Sequence, residues 1–275
     1  MRGELMGVHP EYLDKYLIMK QEYLSGKSLS RVCREYKADR GSFSKRLKQD
    51  GIKIINKQNL AKVNECYFDK IDCQEKAYWL GFLYADGAIS SKSNCIELSL
   101  SSRDVEHVRK FQRALEYSGN RLFLDDVRCR FEFCSKHMKE TLISRGCFPR
   151  KSLTLKFPTE SQLNYNFLFD FIRGYVDGDG SVMIGKNHRG ERVVPRLSIL
   201  GTYDFLNNLM ITTKWNHVKI SHPSGCYSAE WGGRYVKEYI VKLYENATVY
   251  LDRKYQKYLE IKSLPTINRG KNLEG

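Results

Sequence analysis

Residues 78–87 read Tyr78-Trp-Leu-Gly-Phe-Leu-Tyr-Ala-Asp86-Gly87, and residues 171–180 read Phe171-Ile-Arg-Gly-Tyr-Val-Asp-Gly-Asp179-Gly180. Aligned on their last two residues, both give Gly, aromatic, aliphatic, any, small, Asp, Gly, at an offset of 93. A second match follows each. Phe148-Pro149-Arg150-Lys151-Ser152 and Leu251-Asp252-Arg253-Lys254-Tyr255 place a lysine 65 and 75 residues past the two acids. Two tandem copies of one unit are expected.

Gly81 and Ala85 stand four apart, as do Gly174 and Gly178, so each apolar segment forms a helix with a stripe of small residues on one side. Such stripes let two helix backbones approach closely. Asp86 and Asp179 follow at the helix ends, each before a glycine expected to take the left-handed conformation of a C-terminal cap. If the helices pair in parallel, the carboxylates converge at the negative ends of two dipoles, where they repel one another and call for cations. Their oxygens, with the carbonyls of Ala85 and Gly178, suit a hard divalent ion such as Mg²⁺. A single Asp-Gly after an apolar helix is an ordinary stop; two on matched helices are more.

Working outward, Ile96, Leu98 and Leu100 alternate with polar residues as in a half-buried strand. Val105, Val108, Phe111 and Leu115 recur at helical spacing over 104–117; Cys129, Phe131 and Phe133 alternate again, and 136–145 is helical. The second copy repeats the order: a strand at 192–200, a helix at 204–211, strands around Val218 and at 227–231, and a helix at 235–244. The class is α+β, each copy α-β-β-α-β-β-α. One sheet face is apolar; the other carries Arg128, Arg130, Arg192, Arg196 and Lys219, and is wet or bound to something anionic.

The N-terminal 52 residues read as short helices. Tyr12, Tyr16, Met19 and Tyr23 share a face, Ser28 caps a second segment, and Asp39 caps a third with Phe43 and Leu47 inward. The third segment's outer face is Arg40, Ser42, Ser44, Lys45, Arg46 and Lys48, in helix-turn-helix order. The expected organisation is a DNA-binding domain at 1–52, a linker at 53–68, and repeats at 69–165 and 166–275.

The 275 residues carry 46 Lys and Arg against 32 Asp and Glu, a net +14 with pI near 9.3. The surplus is spread, at +6 in 1–65, +3 in 66–165 and +5 in 166–275, so no tail carries it. A polyanionic partner fits such a surplus. At 41% hydrophobic and 28% charged residues the chain folds rather than staying disordered. No apolar run is long enough for a membrane span, and the start lacks a secretory core, so a soluble intracellular protein is expected. Eight scattered cysteines without C-x-x-C pairs or a histidine at zinc-ligand spacing are expected as reduced, mostly buried thiols, and no structural zinc is expected. The six histidines are expected on the surface or in a groove.

The paired motifs, their spacing and the intervening order resemble a single-chain LAGLIDADG homing endonuclease over about residues 66–260. The resemblance implies a pseudo-twofold helix interface and two saddle-shaped antiparallel sheets lying in the major groove of double-stranded DNA. It implies a monomer that binds divalent metal at Asp86 and Asp179 and cuts both strands to leave short 3′ overhangs. It also implies that Lys151 and Lys254 lie near the scissile phosphates, stabilising transition-state charge or orienting water. Asp177 occupies the other acidic position of the second motif, where Tyr84 stands in the first, and is not the usual metal ligand. The polar residue often found after each copy's second strand has no clear match among Ser101, Ser102, Gly201 and Thr202. The N-terminal helices resemble accessory DNA-binding domains of intron-encoded nucleases.

Lys92, Ser99, Arg128, Arg130, Arg192, Arg196 and Lys219 are the candidates for groove contacts. The halves differ at nearly every such position, so the target is expected to be long and asymmetric. The competing reading is a non-catalytic DNA- or RNA-binding protein on the same scaffold, a transcription regulator or a maturase acting on its own intron RNA. The retained acidic pair favours the nuclease.

Overall fold

The computed structural model describes residues 10–54, 61–186, 193–216, 218–221, 226–232 and 234–265. It divides between Lys62 and Val63 into two compact units, each with its own apolar core.

The smaller unit packs α1 (Pro10–Leu24), α2 (Leu29–Glu35) and α3 (Arg40–Gln49). Tyr16, Met19 and Tyr23 are buried with Leu29, Val32, Cys33, Phe43 and Leu47, the faces that the spacing selects. The Ser28 hydroxyl accepts from the Arg31 N–H at 3.3 Å, and the Asp39 carboxylate from the Ser42 N–H at 2.8 Å. Both caps satisfy donors that a helix start leaves open. Lys37 makes the α2–α3 turn at a φ of 46°.

The larger unit begins earlier than 69. Tyr67 and Phe68 are buried in its core, so the expected linker is shorter: two large aromatics there have apolar surface to cover. Residues 55–60 of that linker lie outside the described residues. The element order is α4 (Gln74–Asp86), β1 (Gly87–Ile89), β2 (Cys95–Ser101), α5 (Val105–Ala114), β3 (Phe123–Leu124), β4 (Arg128–Cys134) and α6 (Lys136–Ser144). It continues with α7 (Leu168–Asp179), β5 (Gly180–Lys186), β6 (Val193–Gly201), α8 (Tyr203–Thr213), β7 (Val218–Ser221), β8 (Tyr227–Gly232), α9 (Arg234–Tyr244) and α10 (Asp252–Ser263). Two antiparallel four-stranded sheets share one order, β1-β2-β4-β3 and β5-β6-β8-β7. The expected α+β class holds; α10 is an additional helix.

Helices α4 and α7 form the centre. Every residue from Ala77 to Tyr84 and from Phe171 to Asp177 is buried, as in helices covered on all sides. In the sheets, Ile96, Leu98, Cys129, Phe131 and Phe133 face inward, while Glu97, Ser99, Arg128, Arg130 and Glu132 face outward. Cys95 and Cys134, directly opposed across β2 and β4, are joined in a disulfide on that outer face, which corrects the expectation of reduced thiols throughout. The positions are far apart in sequence, and only strand register brings them together. Among the described residues no helix is long and apolar enough to cross a membrane.

Candidate active site

The glycine stripes meet backbone to backbone. A Cβ added at Gly81 would lie 1.9 Å from the Phe171 carbonyl oxygen, and one at Gly174 would lie 2.0 Å from that of Tyr78. A Cβ at Gly178 would lie 2.3 Å from the Ala85 Cβ. Tyr78 faces Gly174 and Ala85 faces Gly178, so the helices run parallel and end together.

Each helix passes directly into a strand. Gly87 (φ −73°) and Gly180 (φ −103°) are extended, not left-handed as expected. They are small for a different reason: a Cβ there would sit 2.6 Å from the Leu83 or Val176 carbonyl oxygen of the helix just ended.

The convergence of acids is present. The Asp86 carboxylate lies 3.1 Å from the position of a Gly178 Cβ, one residue before Asp179. Burial, then the charge of Asp179, pushes the Asp86 carboxyl up to about 6, with Lys254 and Lys151 pulling it back. Burial likewise raises Asp179 against the same two lysines. Two half-buried carboxylates at two negative helix ends form an oxygen donor set short of positive charge, and that set fits a hard divalent cation. A cleft lined by Tyr84, Lys151, Ser152, Tyr175 and Thr202 opens beside Asp179.

Lys151 and Lys254 are buried, each at the end of its own copy's helix. Lys151 Nζ donates to the carbonyls of Ala85, at 3.3 Å, and Gly87. Lys254 Nζ donates to Val176, Asp177 and Gly180 at 2.5, 2.7 and 2.7 Å. They satisfy helix-end carbonyls where cations are favoured. Burial lowers Lys254 to about 8, opposed by Asp177, Asp86 and Asp179. The Ala85 carbonyl offered above as a metal ligand is therefore already engaged.

Sequence reasoning missed what lies beneath. Asp177, 1% exposed, accepts from Tyr78 Oη at 2.7 Å, Tyr244 Oη at 2.6 Å and the Leu251 N–H at 2.7 Å. It ties the first helix to the segment that delivers Lys254. Burial raises its carboxyl despite these donors. His107, expected at the surface, is buried with Nε2 2.9 Å from Tyr78 Oη. Tyr78 has given its only proton to Asp177, so His107 donates from Nε2. Burial lowers it to about 3, so it is neutral. The sole sequence signal was Asp177 itself, an acid inside an apolar run.

The candidate DNA contacts fall in several places. Arg128, Arg130 and Arg196 are exposed on strands, and Ser99 is half-buried opposite Arg130. Lys92 is exposed in the β1–β2 connection rather than on a strand. Lys219 pairs with Glu230 in strand register, and Arg192 lies outside the described residues. The outer face is not uniformly basic: Glu97 stands opposite Glu132, with Arg130 3.8 Å from Glu97. In the smaller unit Arg40, Lys45 and Lys48 are exposed and Ser44 is half-buried. Arg46 lies over the Tyr16 ring at 5.0 Å. His9, His188, His217 and His222 lie outside the described residues.

Two motif helices are paired through glycines, and each leads into an antiparallel sheet of the same strand order, the arrangement that the resemblance of the motifs to LAGLIDADG proteins leads one to expect. No family model matches the chain. An uncharacterized protein of Methanocaldococcus jannaschii is 28% identical over 128 residues, 46% of this chain and 48% of that protein, so the match spans about half of the relative. Among solved structures, the LAGLIDADG homing endonuclease I-GzeII in complex with a DNA target is 11% identical, covering 67% of this chain and 88% of that one at a TM-score of 0.48. Meganuclease I-SmaMI bound to uncleaveable DNA is 10% identical, with 67% and 88% covered and a TM-score of 0.49. The I-LtrWI homing endonuclease bound to target DNA is 12% identical, with 72% and 89% covered and a TM-score of 0.47.

Proposed function

We propose that this chain is a site-specific double-strand DNA endonuclease that hydrolyses one phosphodiester on each strand of a long asymmetric target and leaves short 3′ overhangs. The observation that carries the reading is the convergence of Asp86 and Asp179 at the ends of helices packed backbone to backbone, in a chain of net charge +14. Asp86 and Asp179 would hold a divalent ion such as Mg²⁺, which would supply an activated water and offset the charge of the leaving oxygen when bound.

The chain's own residues do the rest. Asp86 and Asp179 hold the ion-binding oxygens rigidly, because neither helix end can shift without opening a glycine contact. Lys151 and Lys254 fix the helix ends and temper the carboxylates' charge, beside the place where the resemblance puts the scissile phosphates. Arg128, Arg130 and Arg196, with Ser99, Lys92, Arg192 and Lys219, meet the duplex; arginines that reach guanine edges specify sequence and the others position the backbone. Arg40, Ser44, Lys45, Arg46 and Lys48 of the smaller unit add a separate DNA contact.

Incubation with a library of randomised duplexes and Mg²⁺ tests the reading. Linear products with overhangs, lost in Asp86→Asn and Asp179→Asn while binding persists, support it. Retention of duplex without cutting would favour the non-catalytic reading, and undiminished cutting by both variants would remove the assigned site.

A further inference from the structure

We propose a second metal site of different chemistry, in which Cys66, Asp69 and His137 bind Zn²⁺ and staple the segment entering α4 to α6. The Cys66 Sγ, an Asp69 carboxylate oxygen and a His137 ring nitrogen lie within 4.8 Å of one another, all on exposed residues. They come from two elements. Cys66 and Asp69 share a turn closed by the Asp69 N–H donating to the Cys66 carbonyl at 3.0 Å. His137 lies in the first turn of α6, with Thr141 and Arg145 following on the same face.

That face already grips the turn through Asp69. His137 Nε2 lies 2.7 Å from Asp69 Oδ1, the Thr141 hydroxyl donates to the same oxygen at 3.2 Å, and Arg145 donates to the Asp69 carbonyl. Thr141 and Arg145 thus orient Asp69 from an outer shell of the kind that tunes metal ligands. Tetrahedral zinc, with bonds of about 2.0–2.3 Å, spaces its ligand atoms about 3.3–3.6 Å apart. The present spacing, from 2.7 Å up to no more than 4.8 Å, spans that range, so modest side-chain rotations make the site. Solvent exposure leaves a fourth position for water.

The donor set selects the ion. Thiolate with imidazole favours Zn²⁺ over Mg²⁺, the reverse of the all-oxygen pair at Asp86 and Asp179. On binding, the sulfur–zinc bond forms and the thiol proton passes to solvent; no oxidant or reductant takes part. The inference stands apart from the nuclease reading, since neither site supplies a ligand to the other.

The test is alkylation of the full chain by iodoacetamide, read cysteine by cysteine in a mass spectrometer across a Zn²⁺ titration. Zn²⁺ should protect Cys66 but not the partly exposed Cys73 or Cys226, and Mg²⁺ should protect none of them. His137→Ala and Asp69→Asn should each raise the protecting Zn²⁺ concentration by about tenfold or more. Co²⁺ should give a thiolate charge-transfer band that Cys66→Ser removes, and tryptophan fluorescence shows that each variant remains folded. Equal alkylation of Cys66 with and without Zn²⁺ overturns the proposal. So does protection that both ligand variants leave unchanged.

Discussion

Replacing Asp86 by Asn should make the metal-free protein more stable while ending the cleavage proposed above. The Asp86 carboxyl is held at about 6 in the folded unit against an ordinary 3.8. The folded form therefore binds the proton more tightly than the unfolded chain, and this group's contribution to stability is fullest below 3.8 and is lost as pH rises through 6. At pH 7.5 the ionised side chain costs about 3 kcal/mol. Asn has nearly the same shape and does not titrate. For a unit of roughly 200 residues that gain corresponds to about 6–12 °C in Tm. The assay is thermal unfolding in EDTA followed by tryptophan fluorescence. Trp79, Trp215 and Trp231 are the chain's three tryptophans, all buried in the larger unit, so the signal reports that unit alone. At pH 4 the gain should shrink to under about 1 kcal/mol, because the wild-type carboxyl is then mostly protonated. Added Mg²⁺ should stabilise the wild type at pH 7.5 more than the variant. A variant no more stable than wild type at pH 7.5, or a gain equal at both pH values, would mean that the ionised Asp86 carboxylate does not destabilise the folded unit.

Gly174→Ala drives a methyl to 2.0 Å from the Tyr78 carbonyl oxygen and should cost at least about 3 kcal/mol, while Gly232→Ala, with nothing within 4 Å, should stay within about 0.5 kcal/mol of wild type in the same assay. Lys254→Met strips the donor from the Val176, Asp177 and Gly180 carbonyls; denaturant unfolding should show a loss of about 2–4 kcal/mol. Arg128→Ala and Arg130→Ala should each weaken duplex binding, and each side chain that meets phosphate should lower the slope of log K against log salt by about 0.9, measured by fluorescence anisotropy.

The sequence made legible whatever depends on local periodicity or on the repeat. The motif helices, the Ser28 and Asp39 caps and the alternation in β2 and β4 follow from spacing alone. The convergence of Asp86 and Asp179 followed because two glycine stripes imply a close pairing. What stayed hidden depends on atoms far apart in the chain. Gly87 and Gly180 look like left-handed stops, and only the structure shows a helix carbonyl occupying the space of their Cβ. Lys151 and Lys254 each follow an arginine and read as surface cations, yet their ammonium groups reach back to carbonyls more than sixty residues earlier. His107 sits on an amphipathic helix as any surface histidine does; its burial comes from Tyr78 and Trp79 arriving from another element. Strand register alone sets Glu97 against Glu132 and Cys95 against Cys134.

Asp86 closes α4 and Gly87 opens β1, as Asp179 closes α7 and Gly180 opens β5, so no joint separates either acid from its sheet. The glycine contact between the helices lies within the same continuous element as each acid and each strand. A ligand seated on the outer face of either sheet would therefore bear on a strand continuous with the helix that carries the acid.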